Sequence, residues 1–497
     1  MGRKKGIISN YTHTHTHKII IMEFIKCKSI VLVIYLLLLL LFLQQAFKLK
    51  SIDLRYSQYL TRIPEPSEIP NLEKINLWNC TNLAYIPCNI QNFINLGVLC
   101  FRGCKSLKCF PHDIHFTSPI KIDISYCVNL TEFPKISGNI IVLDLRDSAI
   151  EEVPSSIESL TTLVKLDLSY CTRLKSLSTS ICKLRSLYWL YLNNCSKLES
   201  FPEILEKMER LSYMDLSWTK IKELKSSIDH LEGLRNLRLR ECSKLVNLPE
   251  SLGNLKSLVY IEAERSGISQ VPASIAHLNE VKSLSFAGCR SLVLPTLLSG
   301  LCSLTELDLK DCGIREIPQD IGSVFALEKI DLSGNNFETL PASMKQLSRL
   351  RYLYLMNCNM LQTLPELPLR LKLLEARNCK QLRSLPELPS CLKGFDALVL
   401  ETLSKHKHSR DSPMELIFTN CLKLNDKGNN NILADSQLRI QHMLSASLRI
   451  FHHDYVVQIW NFLSLFLFSV LNYISNHDFL ITGIEDTTSN RHLFTWK

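Results

Sequence analysis

The sequence between Leu49 and Leu385 repeats one pattern about fifteen times, L-x-x-L-x-L-x-x-C-x-x-L-x-x-L-P. The clearest copy begins at Leu187 and reads LYWLYLNNCSKLESFP. Its most regular landmark, here called the ladder position, recurs every 21 to 24 residues. The ladder position is occupied by Cys80, Cys104, Cys127, Ser148, Cys171, Cys195, Thr219, Cys242, Ser266, Cys289, Cys312, Asn335, Cys358 and Cys379. A period of this length is the signature of stacked structural repeats, which decides the fold.

Two leucines in each copy alternate with period two, as in Leu143 with Leu145. Both side chains of such a pair point to one face of a short strand. A strand of this length cannot bury its leucines alone, so the copies stack in parallel around a shared interior. The sequence therefore predicts an α/β solenoid, a leucine-rich-repeat horseshoe of about fifteen repeats over residues 48–390. Its parallel, concave sheet would be on the order of 70 Å long.

The remaining half of each repeat should return on the convex side as short helical or irregular segments. Proline is expected to prevent further strand pairing there. Residues 154–160 and 272–278 both read P-x-S-I-x-x-L, which predicts a single helical turn with its apolar side chains facing inward. The ladder position should point into the stack, where a small thiol takes the place that asparagine commonly holds in such repeats.

Composition excludes several classes of protein. The chain has 497 residues, of which 46% are hydrophobic and 21% charged, so it can bury a large core. Its formal charge of +9 is spread over both signs along the repeats, and we therefore expect no nucleic-acid partner. Ten of the 18 cysteines hold the ladder position, so their number follows the repeats and not a disulfide framework. This usage favours a reducing compartment.

The two ends of the chain differ from the repeats. The apolar run from Ser29 to Leu43 suits a signal-peptide core or a short membrane anchor within residues 1–47. A second run at 456–474, within the apolar tail 452–497, resembles a marginal membrane span. Residues 12–17 alternate threonine and histidine, as a CA dinucleotide repeat would encode. Our hypothesis is that both ends are translated non-coding sequence or part of a truncated gene model, with a genuine membrane anchor as the alternative.

The chain carries no motif for catalysis or for a cofactor. We find no phosphate-binding G-x-x-x-x-G-K-[ST] loop, no G-x-G-x-x-G, no H-E-x-x-H and no G-x-S-x-G. The best metal-like group comprises Cys100, Cys104, Cys109, His112 and His115, but the repeat register should make these side chains diverge. We therefore predict no enzyme activity, no metal, no cofactor and no small-molecule substrate.

Two kinds of residue mark the predicted concave face. Asp123, Asp144 and Asp167 should form a column that is open to water and compensated by neighbouring lysine and arginine, so we interpret it as a solvated face. Large aromatic residues are typical of protein recognition. We predict a protein-binding surface formed by Trp78, Tyr126, Tyr170, Tyr188, Trp189, Tyr191, Tyr213, Trp218, Arg238, Arg240, Tyr352 and Tyr354.

The ladder cysteines, the L-P returns and the segments 75–83 and 166–171 resemble the repeats of plant intracellular immune receptors. The closest class is that of nucleotide-binding leucine-rich-repeat resistance proteins with a Toll/interleukin-1-receptor domain. Segments 415–425 and 432–442 are similar to the opening of that class's post-repeat jelly-roll/Ig-like domain, which we assign to residues 391–451. The class's signalling and nucleotide-binding domains are absent from this sequence, so we expect the chain neither to cleave NAD nor to switch on ATP.

The resemblance implies a recognition module of a plant disease resistance receptor. Its concave face would bind a pathogen effector or a host protein, in the cytoplasm or the nucleus. Two alternatives remain open. One is a membrane-anchored repeat receptor that uses Ser29 to Leu43 as its anchor, and the other is a repeat scaffold outside immunity. Repeat faces recognise partners by surface shape, so no motif names the ligand.

Overall fold

The computed structural model describes residues 49–384, except Pro64 and Glu68, and residues 415–417. The repeats fall into two compact units that divide between Thr219 and Lys220. The ends at 1–47 and 452–497, with their apolar runs at 29–43 and 456–474, lie outside the described residues, as does almost all of the region 391–451. Within the part that the structure describes, no helix is long and apolar enough to cross a membrane.

The first unit is built on a parallel sheet with one strand from each repeat. Along this sheet the strand order is β1-β2-β3-β4-β5-β7-β9-β10, while β6 and β8 pair separately. The strands are β1 (Ser51–Asp53), β2 (Lys74–Asn76), β3 (Val98–Cys100), β4 (Ile114–Asp123), β5 (Ile136–Asp144), β6 (Glu152–Val153), β7 (Lys165–Asp167), β8 (Ser176–Leu177), β9 (Trp189–Tyr191) and β10 (Tyr213–Asp215).

The second unit has the same design, with strands that are parallel and paired in chain order. They are β11 (Asn236–Arg238), β12 (Tyr260–Glu262), β13 (Ser283–Ser285), β14 (Glu306–Asp308), β15 (Lys329–Asp331), β16 (Tyr352–Tyr354), β17 (Leu373–Glu375) and β18 (Glu415–Ile417). The predicted leucine-rich-repeat fold is confirmed.

The register of the sheet sorts side chains onto two faces. Equivalent positions pair from strand to strand, as Leu166 does with Leu190 on β7 and β9. The middle residue of each three-residue strand from β1 to β17 is buried, and both of these leucines are fully buried. The first and third residues of each strand point to the opposite face, here called the open face. The period-two pattern of the sequence therefore predicts correctly which residues are in the core.

Each turn after a strand has a left-handed residue followed by the ladder position. Asn194, directly before Cys195, has φ 63°, and the equivalent residue of the neighbouring repeats is left-handed as well. The ladder thiols are buried, and nine of them donate to the carbonyl oxygen of a buried residue one repeat earlier. The Sγ–O distances are 3.0 to 3.3 Å for Cys80, Cys104, Cys127, Cys171, Cys195, Cys289, Cys312, Cys358 and Cys379.

The side-chain amide of Asn335 makes the same connection, since its Nδ2 donates to the carbonyl of Leu309 at 2.8 Å. It also donates to Leu332 and accepts a hydrogen bond from the backbone N–H of Ile314. A ladder thiol thus makes one of the hydrogen bonds that asparagine makes at this position, the one to the preceding repeat. The thiol is smaller and less polar than the amide. This arrangement satisfies carbonyls that would otherwise be buried without a partner.

The convex side carries short 3-10 helices, as the P-x-S-I-x-x-L spacing predicts. In the described repeats they span Ile90–Asn92, Ser155–Ser159, Thr179–Lys183, Ser226–His230, Glu250–Asn254, Ala273–His277, Gln319–Ser323 and Ala342–Gln346. Proline directly precedes several of them, because its fixed φ suits the entry to a helix and its missing N–H is not needed there. Ile157 and Ile275 are buried beneath their helices.

Two predictions about the repeats are wrong in part. The return segments do pair in places, since β6 and β8 form a parallel pair just before Pro154 and Ser178. Proline limits the length of such pairing but does not abolish it, because it follows the paired residues. Strands β4 and β5 are also much longer than a repeat requires, and their register shifts between Phe116 and Ile120. Gly138 has φ 92° at this irregularity and lies against the backbone of Phe116.

Candidate protein-binding surface

The densest group of predicted binding residues lies together in the first unit. Tyr188, Trp189, Tyr191 and Tyr213, here called the central aromatic cluster, come from β9, the residue before it, and β10. Trp189 pairs with Tyr213 in the parallel register, so their side chains occupy neighbouring positions on the open face. Leu190 between Trp189 and Tyr191 is buried, which turns the two aromatic residues away from the core.

The rings of this cluster contact one another yet stay accessible. The centroids of Tyr188 and Trp189 are 4.4 Å apart, and those of Tyr191 and Tyr213 are 4.9 Å apart. Lys165 on β7 places its Nζ 5.0 Å from the centroid of Tyr191, which is a cation–π contact. Tyr188 and Trp189 are 39% and 38% exposed. These contacts already restrict the side chains, so the cluster loses less conformational entropy when a partner binds.

Several predicted residues lie outside the strands, and three of them share one position in the turn. Tyr126, Tyr170 and Trp218 hold the left-handed turn position directly before the ladder, with φ between 60° and 64°. The prediction that they share the columns of the concave strands is therefore wrong, because the period-two alternation ends where the chain turns. Their side chains are exposed at the edge of the sheet. Trp78 lies two residues after β2 and is half-buried, on the same face as the strand residues.

The predicted residues of the second unit have different surroundings. Arg238 lies 2.8 Å from the carboxylate of Glu262, and Arg240 lies 3.0 Å from Glu262 and 2.9 Å from Glu264. These arginines therefore already have acidic partners within the protein.

Tyr352 and Tyr354 lie on the open face of β16 on either side of the buried Leu353. Tyr352 is exposed, whereas burial, followed by the charges of Glu375 and Asp331, raises the pKa of Tyr354. The phenol of Tyr354 consequently stays protonated at neutral pH.

The aspartate column has the expected basic neighbours, but the prediction that it is open to water is wrong, because the parallel stacking of the strands leaves Asp144 and Asp167 only 7% and 4% exposed. Asp144 and Asp167 lie opposite each other on β5 and β7. Arg146 is 2.7 Å from Asp144 and 3.5 Å from Asp167, and Lys165 is 3.2 Å from Asp167. The hydrogen bond to Asp144 raises the pKa of Arg146. Asp123 accepts hydrogen bonds from the backbone N–H and hydroxyl of Ser125.

The cysteines of the described repeats differ in burial according to their position in the repeat. Those in the described repeats are free thiols. Burial raises the pKa of Cys80 and of Cys171 to about 11 and that of Cys312 to about 12, so these ladder thiols stay protonated at neutral pH. In the part of the chain described by the structure, no three histidine, cysteine or acidic side chains meet in a way that could hold a metal ion.

The suspected metal-like group is dispersed. Cys104 is buried in the ladder, Cys100 lies on the open face and Cys109 is exposed. His115 instead makes a hydrogen bond of 2.9 Å between its Nδ1 and the hydroxyl of Ser137. The divergence that the repeat register predicts for Cys100, Cys104 and Cys109 is confirmed.

Tyr56 and Arg102, which the sequence argument did not select, contact two aromatic residues that it did select, Trp78 and Tyr126. Tyr56 contacts Trp78 with a centroid distance of 5.1 Å. The guanidinium carbon of Arg102 lies 5.6 Å from the ring centroid of Trp78 and 4.6 Å from that of Tyr126. These four residues, here called the N-terminal stack, belong to successive repeats. Aligning the repeats on the ladder position would have placed them side by side.

Comparison with known proteins supports the resemblance. Residues 183–406 match the family model described as leucine-rich repeats of the RPS4B-like disease resistance proteins. The chain is 40% identical over 152 residues to the Arabidopsis thaliana protein SUPPRESSOR OF npr1-1, CONSTITUTIVE 1, and 37% identical over 173 residues to the TMV resistance protein N of Nicotiana glutinosa. These matches cover 31% and 34% of this chain, and 10% and 15% of the two relatives.

A solved leucine-rich-repeat protein of Leptospira interrogans also aligns with the structure. It is 23% identical to this chain, with a TM-score of 0.46. The alignment covers 79% of this chain and 95% of the bacterial one.

Proposed function

The repeats of this chain are of the kind found in the RPS4B-like plant disease resistance proteins, and from this premise we propose that the chain is the protein-recognition region of a plant innate immune receptor. Its open face binds a pathogen effector or a host protein. The resistance proteins it resembles are named for disease resistance, and the chain spans only a small part of their length. The function of the whole receptor is therefore part of this proposal.

The central aromatic cluster is the observation that supports this proposal. Side chains on the open face need not be apolar, because this face is in contact with water, yet two neighbouring strands present aromatic residues there. Tyrosine and tryptophan bury a large area at low conformational cost and are enriched in the residues that dominate binding energy. Lys165, Tyr191 and Tyr213 hold each other in place, which gives a prepared contact surface.

Binding without catalysis is the activity that we propose for this surface. The cluster has aromatic rings and one lysine, but it offers no activated nucleophile with a base beside it. The ladder thiols are buried, and burial raises the pKa of Cys80, Cys171 and Cys312, which disfavours them as nucleophiles. We place the protein in the cytoplasm, with the nucleus as a further location, because free thiols in this number suit a reducing compartment.

The proposal is tested by recovering partners from infected and from mock-treated leaves with the tagged full chain. Trp189→Ala and Tyr213→Ala remove aromatic contacts from the cluster. The matched control is Tyr260→Ala, which removes an exposed tyrosine from the open face of β12, outside the cluster. We expect a partner that the wild-type chain enriches to fall by about tenfold or more with the two cluster variants. Equal recovery by all four proteins would contradict the proposal.

A further inference from the structure

The N-terminal stack holds a guanidinium that has no acidic partner within the described protein. We propose that Arg102, held between Trp78 and Tyr126, binds a carboxylate side chain of an acidic segment of a partner protein. This site is separate from the central aromatic cluster. It rests on the proposed function only in assuming that the repeats recognise protein.

The backbone places the members of the stack in register. The parallel hydrogen bonding continues past the short strands, with Tyr56 N to Trp78 O at 2.8 Å and Asn79 N to Arg102 O at 2.7 Å. Trp78 and Arg102 hold equivalent positions and are therefore one strand spacing apart, about 4.8 Å, while Tyr56 and Tyr126 hold the next position along the chain in their repeats. This spacing allows rings and a planar guanidinium to stack, and a stacked guanidinium directs its N–H groups outward from the edge of its plane.

Comparison of equivalent arginines shows what Arg102 lacks. Arg55, Arg146 and Arg377 have the same position in their repeats, and each pairs with the acidic residue two positions earlier, on its own strand. The distances are 2.9 Å for Arg55 with Asp53, 2.7 Å for Arg146 with Asp144, and 2.7 Å for Arg377 with Glu375. At Arg102 the position two residues earlier is Cys100. Among the described residues, Arg102 makes no ion pair and no side-chain hydrogen bond.

Cys100 does not replace the missing carboxylate. Its thiol lies 3.8 Å from Asp123 and donates to it, and Asp123 also accepts hydrogen bonds from Ser125. Burial raises the pKa of Cys100 to about 11, and the charge of Arg102 lowers it only in part, so the thiol carries no charge at neutral pH. The position two residues before Arg102 therefore carries no charge of its own, although the carboxylate of Asp123 lies beside it on the next strand.

The surrounding open face is also positive. Lys74 on β2 and Lys121 on β4 flank Val98 in the parallel register and are exposed. In the described repeats neither lysine forms an ion pair, so Lys121 is not among the basic residues that compensate the aspartate column. The acidic residues on strands β1 to β4 are Asp53, which pairs with Arg55, and Asp123, which accepts hydrogen bonds from Ser125; Glu73, next to Lys74, pairs with Lys50. Charge complementarity thus favours an acidic segment.

The rings at the two ends of the stack support a role in binding. Tyr56 and Tyr126 have φ of 61° and 60°, a region that bulky residues seldom adopt. Both are exposed, so no burial in the core compensates for this backbone conformation. The left-handed conformation belongs to the repeat, since Asn79 and Asn194 share it, so binding is supported by the exposed aromatic residue that occupies this position. Flanking rings suit the aliphatic part of glutamate or aspartate, whereas a nucleic-acid strand requires a longer row of cations than these three.

The test measures binding of the full chain to an acetylated, amidated peptide of alternating glutamate and glycine by calorimetry. The same peptide with glutamine in place of glutamate is the neutral reference. Cys100→Asp introduces an acidic residue at the position that Asp53 holds relative to Arg55. The new carboxylate should form an ion pair with Arg102 inside the protein and leave both rings in place. Arg102→Gln removes the cation directly. Arg377→Gln, at the equivalent position of a paired repeat, is the control for loss of charge.

We expect the wild-type chain to bind the glutamate peptide about tenfold more tightly than the glutamine peptide. Cys100→Asp and Arg102→Gln should abolish this preference, and Arg377→Gln should stay within about twofold of wild type. Equal binding of the two peptides, or unchanged preference in Arg102→Gln, would overturn the proposal. So would tighter, Arg102-dependent binding of a single-stranded RNA oligonucleotide, which would assign the site to phosphate. Recovery of partners through Trp189 does not depend on any of these results.

Discussion

Replacing the ladder thiol of Cys127 by a hydroxyl should change how the stability of the protein depends on pH. Cys127 is fully buried and donates to the carbonyl of Phe101 at 3.2 Å. Burial is the main cause that raises its pKa to about 12 from a usual value of 9.0. Serine occupies the ladder at Ser148 and Ser266, so Cys127→Ser is a substitution that other repeats already accommodate.

The direction in which stability changes with pH follows from the pKa of Cys127 in the folded chain and in the unfolded chain. Above about pH 9 the unfolded chain loses the thiol proton while the folded chain keeps it, so the unfolded state binds fewer protons and stability falls as pH rises. The contribution of the protonated thiol is complete below pH 9 and is lost progressively toward pH 12. At about pH 10, ionisation stabilises the unfolded state by roughly RT ln 11, or about 1.4 kcal/mol, for this one thiol.

The assay is urea unfolding of the full chain, followed by circular dichroism in the presence of a reductant, at about pH 7.5 and about pH 10. Other groups titrate identically in the two proteins, so the difference in unfolding free energy between wild type and Cys127→Ser isolates this thiol. We expect that difference to shift in favour of the variant by about 1.4 kcal/mol between the two pH values. The matched control is Cys302→Ser, at an exposed thiol, for which we expect parallel curves. A shift below about 0.3 kcal/mol for Cys127→Ser would refute the reasoning.

Three further predictions concern the backbone and the thiols. Tyr170 is 52% exposed with φ 64°, so Tyr170→Asn should stabilise the protein by up to about 1 kcal/mol in urea unfolding, and a loss of stability would show that its ring is needed in the fold. Gly138→Ala should destabilise by about 2 kcal/mol or more, because the new Cβ would lie 2.2 Å from the carbonyl oxygen of Phe116 at φ 92°, and an unchanged melting temperature would contradict this. Iodoacetamide at about pH 8 should label the exposed Cys88 and Cys302 in the native protein but not the ladder thiols, as read by peptide mass spectrometry, and rapid ladder labelling would show that the repeats open locally.

The sequence predicts the core of this protein well because the core is determined by local periodicity. Period-two leucines define one buried face of each strand, and the P-x-S-I spacing before Ile157 and Ile275 defines the helical turns. Neither depends on contacts between distant segments. The long strands β4 and β5 do depend on such contacts, because they pair beyond the repeat and only the assembled sheet shows how their register shifts near Ile120.

The candidate binding surface is less predictable, because its residues stand at the boundary where the strand ends. A difference of one or two positions moves Tyr126 and Trp218 from the sheet to the turn, and the alternation of the sequence does not mark that boundary. The sequence does indicate that Arg102 lacks an acidic partner within the protein. An acidic residue stands two positions before Arg55 and Arg146, whereas Cys100 stands two positions before Arg102. That signal becomes visible only when repeats are compared with one another.

Ladder thiols form hydrogen bonds to the backbone of the preceding repeat, and this makes the repeats interchangeable at their junctions. Because Cys104 and Cys195 both donate to the carbonyl one repeat earlier, whichever repeat precedes either of them supplies the same acceptor. Gain or loss of a whole repeat between them would preserve every such junction. The residues of the open face would meanwhile be displaced by one strand spacing, about 4.8 Å. Unequal recombination could therefore bring the N-terminal stack and the central aromatic cluster into new combinations while leaving the interior of the protein as it is.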